Sequence, residues 1–74
     1  MARLPILSGA EVAKCFQQAG WRIDRQKGSH VILVKIGHVA SLSVPQHKEI
    51  APGTLRGLIR AAGKTVDKFV SLTK

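Results

Sequence analysis

The chain has 74 residues, twelve Lys or Arg against four Asp or Glu, a formal net charge of +8 and a sequence pI near 10.7. With 45% hydrophobic residues it is too apolar for a disordered basic tail, and its length allows one small domain, residues 1–74, and no more. The single cysteine rules out an intrachain disulfide and points to a cytoplasmic setting rather than an exported scaffold.

No transmembrane helix is expected. The longest strongly apolar run, His30 to Val34, lies between Lys27 and Lys35 and is far shorter than the ~20 residues a span needs. The N-terminus has Arg3 but neither a long apolar stretch nor a small-residue cleavage site, so it does not read as a signal peptide. Residues 1–37 and 38–74 each hold six basic and two acidic residues. The positive charge therefore belongs to the folded body. A small basic body points to an anionic partner, with nucleic acid ahead of a membrane surface or an acidic protein; general solubility is the plainer alternative.

In chain order, Met1 to Leu7 is a lead-in broken by Pro5. Ser8-Gly9-Ala10-Glu11 has the spacing of a capping box, so a helix is expected to about Ala19, with Val12, Cys15, Phe16 and Ala19 on its apolar face. Gly20 is placed to end it. The period then changes to two. Trp21 and Ile23 alternate with Arg22 and Asp24 as a half-buried strand, and Lys27-Gly28-Ser29 turns the chain. His30 to Lys35 is apolar on both faces and reads as a central strand. Ile36-Gly37-His38 is a second turn, and Val39 to Val44 a third strand, with Ala40, Leu42 and Val44 on one face and Pro45 stopping it.

Pro45 to Gly53 reads as a loop. A second helix is expected from about Pro52 to Ala62, with Leu55, Leu58, Ile59 and Ala62 buried and Gly63 past its end. Thr65 caps a short last helix that packs Val66, Phe69 and Val70 inward. The order α-β-β-β-α-α gives an α+β fold, a three-stranded antiparallel meander with helices on one face, and it is shared with double-stranded RNA-binding domains.

The four acids give no metal centre. Glu11 is accounted for by capping, Asp24 by a strand, Glu49 by a loop and Asp67 by a first helical turn. One cysteine and three dispersed histidines match no zinc spacing. No metal and no other cofactor is therefore expected. His30 follows Lys27-Gly28-Ser29 at the mouth of a strand. Histidine titrates near neutrality and moves a proton in either direction. Metal-free RNA cleavage needs little more: a proton taken from the 2′-hydroxyl, in-line approach, and positive groups for the developing charge. His30 with Lys27 and Arg25 fits those needs, and Gly28 leaves room for a phosphate. A strand-end histidine beside a hairpin fits the spacing too.

His38 reads as a solvated turn residue. His47, beside Lys48 in the proline-bounded loop, has two readings, a ligand contact or packing where the second helix begins. Cys15 reads as core, and Ser29 has no visible relay. Arg56, Arg60 and Lys64 are spaced by four, a stripe able to track phosphates or simply a solvated face, and the helix N-terminus near Gly53-Thr54 is a second phosphate candidate. Phe16, Trp21 and Phe69 all fall on core faces, so an aromatic base-stacking platform is not supported.

Several stretches, taken in order, resemble the HicA (YcfA-like) toxins of type II toxin–antitoxin systems. They are Leu4-Pro5-Ile6-Leu7-Ser8-Gly9, Ala19-Gly20-Trp21, Gln26-Lys27-Gly28-Ser29-His30, Val44-Pro45-Gln46-His47-Lys48-Glu49-Ile50, Gly53-Thr54-Leu55-Arg56, Ile59 to Gly63 and Thr65 to Phe69. The resemblance implies a double-stranded-RNA-binding-domain-like fold. It also implies an RNA endonuclease that cleaves mRNA and arrests translation, with the histidine of Gly-Ser-His, here His30, as catalytic residue. The candidate RNA-contacting set around it is Arg25, Lys27, Gly28, Ser29, His47, Lys48, Arg56 and Arg60. A HicB-like antitoxin is implied as partner. The chain departs from the family pattern at Val31, where many relatives have a second histidine, and at Ile36-Gly37-His38, where many have a longer Pro-Asp-Gly hairpin. A non-catalytic duplex-RNA-binding module and a pure interaction protein are the rival readings.

Overall fold

The computed structural model describes residues 3–73. Its elements are α1 (Gly9–Gln18), β1 (Arg22–Lys27), β2 (His30–Val34), β3 (Leu42–Pro45), α2 (Pro52–Ala61) and α3 (Val66–Ser71). The strands form one antiparallel sheet in the order β1-β2-β3, so β2 is central, as its two-sided apolar character requires.

Local chemistry sets the helix ends. The Ser8 hydroxyl accepts from the Glu11 N–H at 3.1 Å, and the Glu11 carboxylate accepts from the Ser8 N–H at 3.0 Å. The Thr65 hydroxyl accepts from the Lys68 N–H at 3.2 Å. Both caps satisfy donors that the first helical turn would otherwise leave open. α2 begins differently, with Pro52 in its first turn and no side-chain cap.

One core joins the layers. Val31 and Leu33 of β2 and Leu42 and Val44 of β3 face Val12, Phe16, Leu55, Ile59 and Phe69 from the helices. Phe16 sits at its centre, its ring 5.2 Å from that of Phe69 and 6.4 Å from that of Trp21. The helices therefore cover the sheet face that carries Val31 and Leu33. The opposite face carries Ile32 and Val34, half-buried, and Ser43, exposed. This is the open face of the sheet.

Three expectations need correction. β3 begins at Leu42, not Val39. Val39 and Ala40 are exposed, and the hairpin loop takes residues 35–41. Ile23 is 51% exposed rather than packed on the buried face of its strand, and all six residues of β1, an outer strand, are exposed. His38 is exposed, yet it is not merely solvated. Its ring lies 4.9 Å from that of Trp21, tilted by 56°. Its Nε2 also lies 3.8 Å from a Cβ built on Gly63, so His38 sits against the end of α2.

The register of β1 on β2 carries a bulge. Arg22 pairs with Val34 and Ile23 with Leu33, but Arg25, not Asp24, pairs with Ile32, followed by Gln26 with Val31 and Lys27 with His30. Directly paired residues share a sheet face. Arg22, Arg25 and Lys27 therefore share the open face with Val34, Ile32 and His30. Strict alternation would have put Arg22 on the other face from Arg25 and Lys27. The extra residue, Asp24, restores the phase, as bulges do when they re-aim side chains.

Candidate nucleic-acid interface

His30 is the first residue of the central strand, and it is exposed. On one side its register partner is Lys27, across the β1–β2 turn; on the other it is Pro45, the last residue of β3. Two residues, Gly28 and Ser29, make the turn. Gly28 has φ +59°, a left-handed conformation that side chains rarely adopt, and a Cβ built there would meet nothing within 4 Å. The turn beside the histidine is thus tight in backbone and open in space. The Gln26 amide donates to the Gly28 carbonyl at 3.2 Å, and the Gln46 N–H donates to the Ser29 carbonyl at 2.7 Å. The turn is tied down from β1 on one side and from the residue after β3 on the other.

The segment after β3 is held by the start of α1. The Gly9 N–H donates to the His47 carbonyl at 2.9 Å, and the Ile50 N–H donates to the Leu7 carbonyl at 2.8 Å. Gly9 has to be glycine for packing reasons. A Cβ there would collide with the Pro45 carbonyl oxygen and lie 2.8 Å from the Gln46 Cα. The same two residues, Pro45 and Gln46, contact the His30 strand and the Ser29 turn. The histidine end of the sheet is therefore clamped to the first turn of α1.

The set singled out from the sequence divides in three. Lys27, Gly28, Ser29 and His30 form one contiguous group at the tip of the β1–β2 hairpin, with Arg25 next along the open face. The Arg25 guanidinium donates to the Asp24 carboxylate at 2.6 Å, an exposed ion pair that neutralises part of its charge. His47 contributes its carbonyl to the α1 clamp, and its side chain is exposed, as is that of Lys48. Arg56 and Arg60 are exposed on α2, whose Leu55, Leu58 and Ile59 face the core, so they belong to the helical layer and not to the open face. Arg22 was missed by the sequence reading. Counting alternation outward from Gly28 fails at Asp24, and only the pairing with Val34 reveals where Arg22 points.

Two shallow hollows lie elsewhere. One is lined by residues of the lead-in and of 49–52, including Leu4, Ile6 and Ile50; the other lies between α1 and the C-terminal end, around Cys15 and Leu72. His30 lines neither, and sits on open surface. Among the described residues no group of three or more His, Cys, Asp or Glu comes together. No helix of the described residues is long and apolar enough to cross a membrane. Cys15 is buried, its thiol donating weakly to the Leu72 carbonyl at 3.9 Å. Burial is the main reason its pKa is raised; the Glu11 charge adds to the effect and Lys14 opposes it.

Comparison with known proteins bears on this arrangement. The family model described as the HicA toxin of bacterial toxin–antitoxin matches residues 9–64. The chain belongs to the HicA toxin family. The match takes in α1, the whole sheet with its Gly28-Ser29-His30 turn, and α2. One similar solved structure is a chain of a "Toxin-Antitoxin complex from Streptococcus pneumoniae", at 31% identity and a TM-score of 0.68, covering 77% of this chain and 97% of that one. The three-stranded sheet with its helical layer is thus a HicA fold. A comparison with curated proteins gave no match.

Proposed function

We propose that this HicA family member is a single-domain, cytoplasmic toxin that cleaves RNA without a metal, with His30 as the catalytic residue and Lys27 and Arg25 holding phosphate. The observation that carries the reading is the placement of His30, which is exposed at the end of the central strand with Lys27 as its cross-strand partner and open space over Gly28. Partnered residues stand ~5 Å apart at Cβ, so one phosphodiester can meet both side chains. With His30 as base, the 2′-hydroxyl proton passes to an imidazole nitrogen and the 2′-oxygen bonds to phosphorus. The bond to the 5′-oxygen then breaks, and that oxygen is protonated from water. The products are a 2′,3′-cyclic phosphate and a 5′-hydroxyl. Lys27 stands where charge develops on the phosphoryl oxygens.

The related structure is of a toxin–antitoxin complex. An antitoxin, HicB-like in this reading, would cover the exposed histidine end of the sheet, and an acidic one would match the net charge of +8.

The test is incubation of purified protein with RNA in excess EDTA, with product ends mapped. Cleavage with cyclic phosphate ends, lost in His30→Ala while the circular dichroism spectrum is kept, is the expected result. A His30→Ala protein that still cleaves and still arrests growth removes His30 from the role. RNA binding without cleavage by the unaltered protein returns the chain to a non-catalytic binding module.

A further inference from the structure

We infer that the open face of the sheet is a track for single-stranded RNA, with Arg22, Arg25 and Lys27 as its phosphate lane and Ile32 and Val34 as a parallel lane for bases. The inference rests on the reading of the chain as an RNA-acting toxin and extends it, naming the form of the substrate and the path it follows away from His30.

The phosphate lane is a consequence of the bulge. Arg22, Arg25 and Lys27 pair with Val34, Ile32 and His30, alternate residues of one strand. Residues two apart on a strand are separated by about 7 Å, so the three cations stand at about one-nucleotide intervals of an extended chain. All three are exposed. The lane begins beside His30 and leads away from it along the edge strand.

The second lane lies one strand in. Ile32 and Val34 share the face with the cations, about 5 Å away across the ladder. They are half-buried, so part of each aliphatic side chain stays open on the face opposite Val31 and Leu33, which join the core with the helices. Charge on one lane and apolar surface beside it suit a polymer with an anionic backbone and exposed bases. A duplex hides its bases and could engage the cation lane alone. In-line attack by a 2′-hydroxyl also needs a sugar free to rotate, which a single strand provides.

Asp24 is the one acid of β1. It supplies the bulge and occupies Arg25. Its removal by Asp24→Asn keeps the residue count, and so the register, while freeing the guanidinium.

The experiment measures binding of labelled single-stranded oligoribonucleotides, graded in length, and of a matched duplex to the His30→Ala protein across a salt series. The expected results are preference for the single strand and affinity that climbs with length until the lane is filled. Arg22→Gln should lower the salt slope by about 0.7, the loss of one single-strand phosphate contact. Lys68→Gln, on α3 of the helical layer, should leave it unchanged, and Asp24→Asn should tighten binding.

Equal or tighter binding of the duplex, or an Arg22→Gln slope equal to that of the parent, overturns the track. So does an Arg22→Gln variant that loses affinity only for an acidic antitoxin, which would make this face a protein-docking surface. If the unaltered protein still cleaves RNA in either case, the functional reading stands and the track alone falls. If neither protein binds RNA at low salt, both fall.

Discussion

The His38 ring packs against the Trp21 indole with 4.9 Å between centroids and a 56° tilt, joining the β2–β3 loop to the residue just before β1. Trp21 is 2% exposed, and its Nε1 has no hydrogen-bond partner. The indole is therefore held by packing, with His38 on one side and Phe16 edge-on at 6.4 Å. Aromatic pairs of this kind contribute about 0.5–1.5 kcal/mol beyond their buried area. His38→Ala should lower unfolding free energy by about 1 kcal/mol and red-shift the emission of the single tryptophan. Unchanged emission and urea midpoint would show that the contact has no weight.

Gly9 makes a second prediction. A methyl group there meets the backbone of Pro45 and Gln46, which cannot rotate away as a flexible side chain would. Gly9→Ala should destabilise the fold by about 1–3 kcal/mol, the usual cost of overpacking. Gly57→Ala is the internal control. It lies mid-helix in α2 with nothing within 4 Å of its added Cβ, so it should gain about 0.5–1 kcal/mol from helix propensity. A matched urea series for the two variants gives opposite signs if the clamp is real.

The capping box gives a pH dependence. The Ser8 N–H and then the Ser8 hydroxyl hold the Glu11 carboxyl below its ordinary value of 4.5. A depressed carboxyl contributes stability that is full above the unfolded value and is lost as pH falls through the folded one. Stability should therefore decline on acidification below the ordinary carboxylate range. Glu11→Gln keeps an acceptor for Ser8 but cannot titrate. The difference between the two proteins should shrink as pH is lowered from 6 to 3, and a constant gap would remove Glu11 as its source.

Burial of Cys15 predicts slow chemistry. Its thiol is shielded between α1 and the C-terminal end, with its pKa raised, so little of the reactive thiolate is present or accessible. Alkylation should be slow in native protein and at least tenfold faster in urea. Equal rates would mean that the core around Phe16 and Leu72 opens readily.

What could be read from the sequence was local. The Ser8–Glu11 and Thr65 caps, the glycines that end α1 and α2, and the Gly28-Ser29 turn each depend on residues within a few positions of one another. The central position of β2 followed from its two apolar faces. What failed depended on partners distant along the chain. Val39 is apolar and β-branched, yet it is fully exposed in the loop because pairing with β2 starts only at Leu42. Ile23 alternates correctly, yet it is left about half exposed on the outer strand β1. The bulge at Asp24 has no signature in β1 itself, since it is defined by which residue of β2 stands opposite. The grouping of His30, Lys27 and Arg25 was legible because they flank one turn. Arg22 was not, for want of that register.

The clamp between Gly9 and Pro45 also bears on genetics. Pro45 is the cross-strand neighbour of His30, and Gln46 fixes the turn before it, so lesions that loosen α1 also displace the histidine's surroundings. Selection for cells that survive expression of this protein should therefore recover substitutions scattered through the first helix and the core, at Gly9, Val12 and Phe16 as readily as at the hairpin tip. Among such survivors, altered surface residues would mark the face that toxicity depends on, and altered buried ones the frame that holds it.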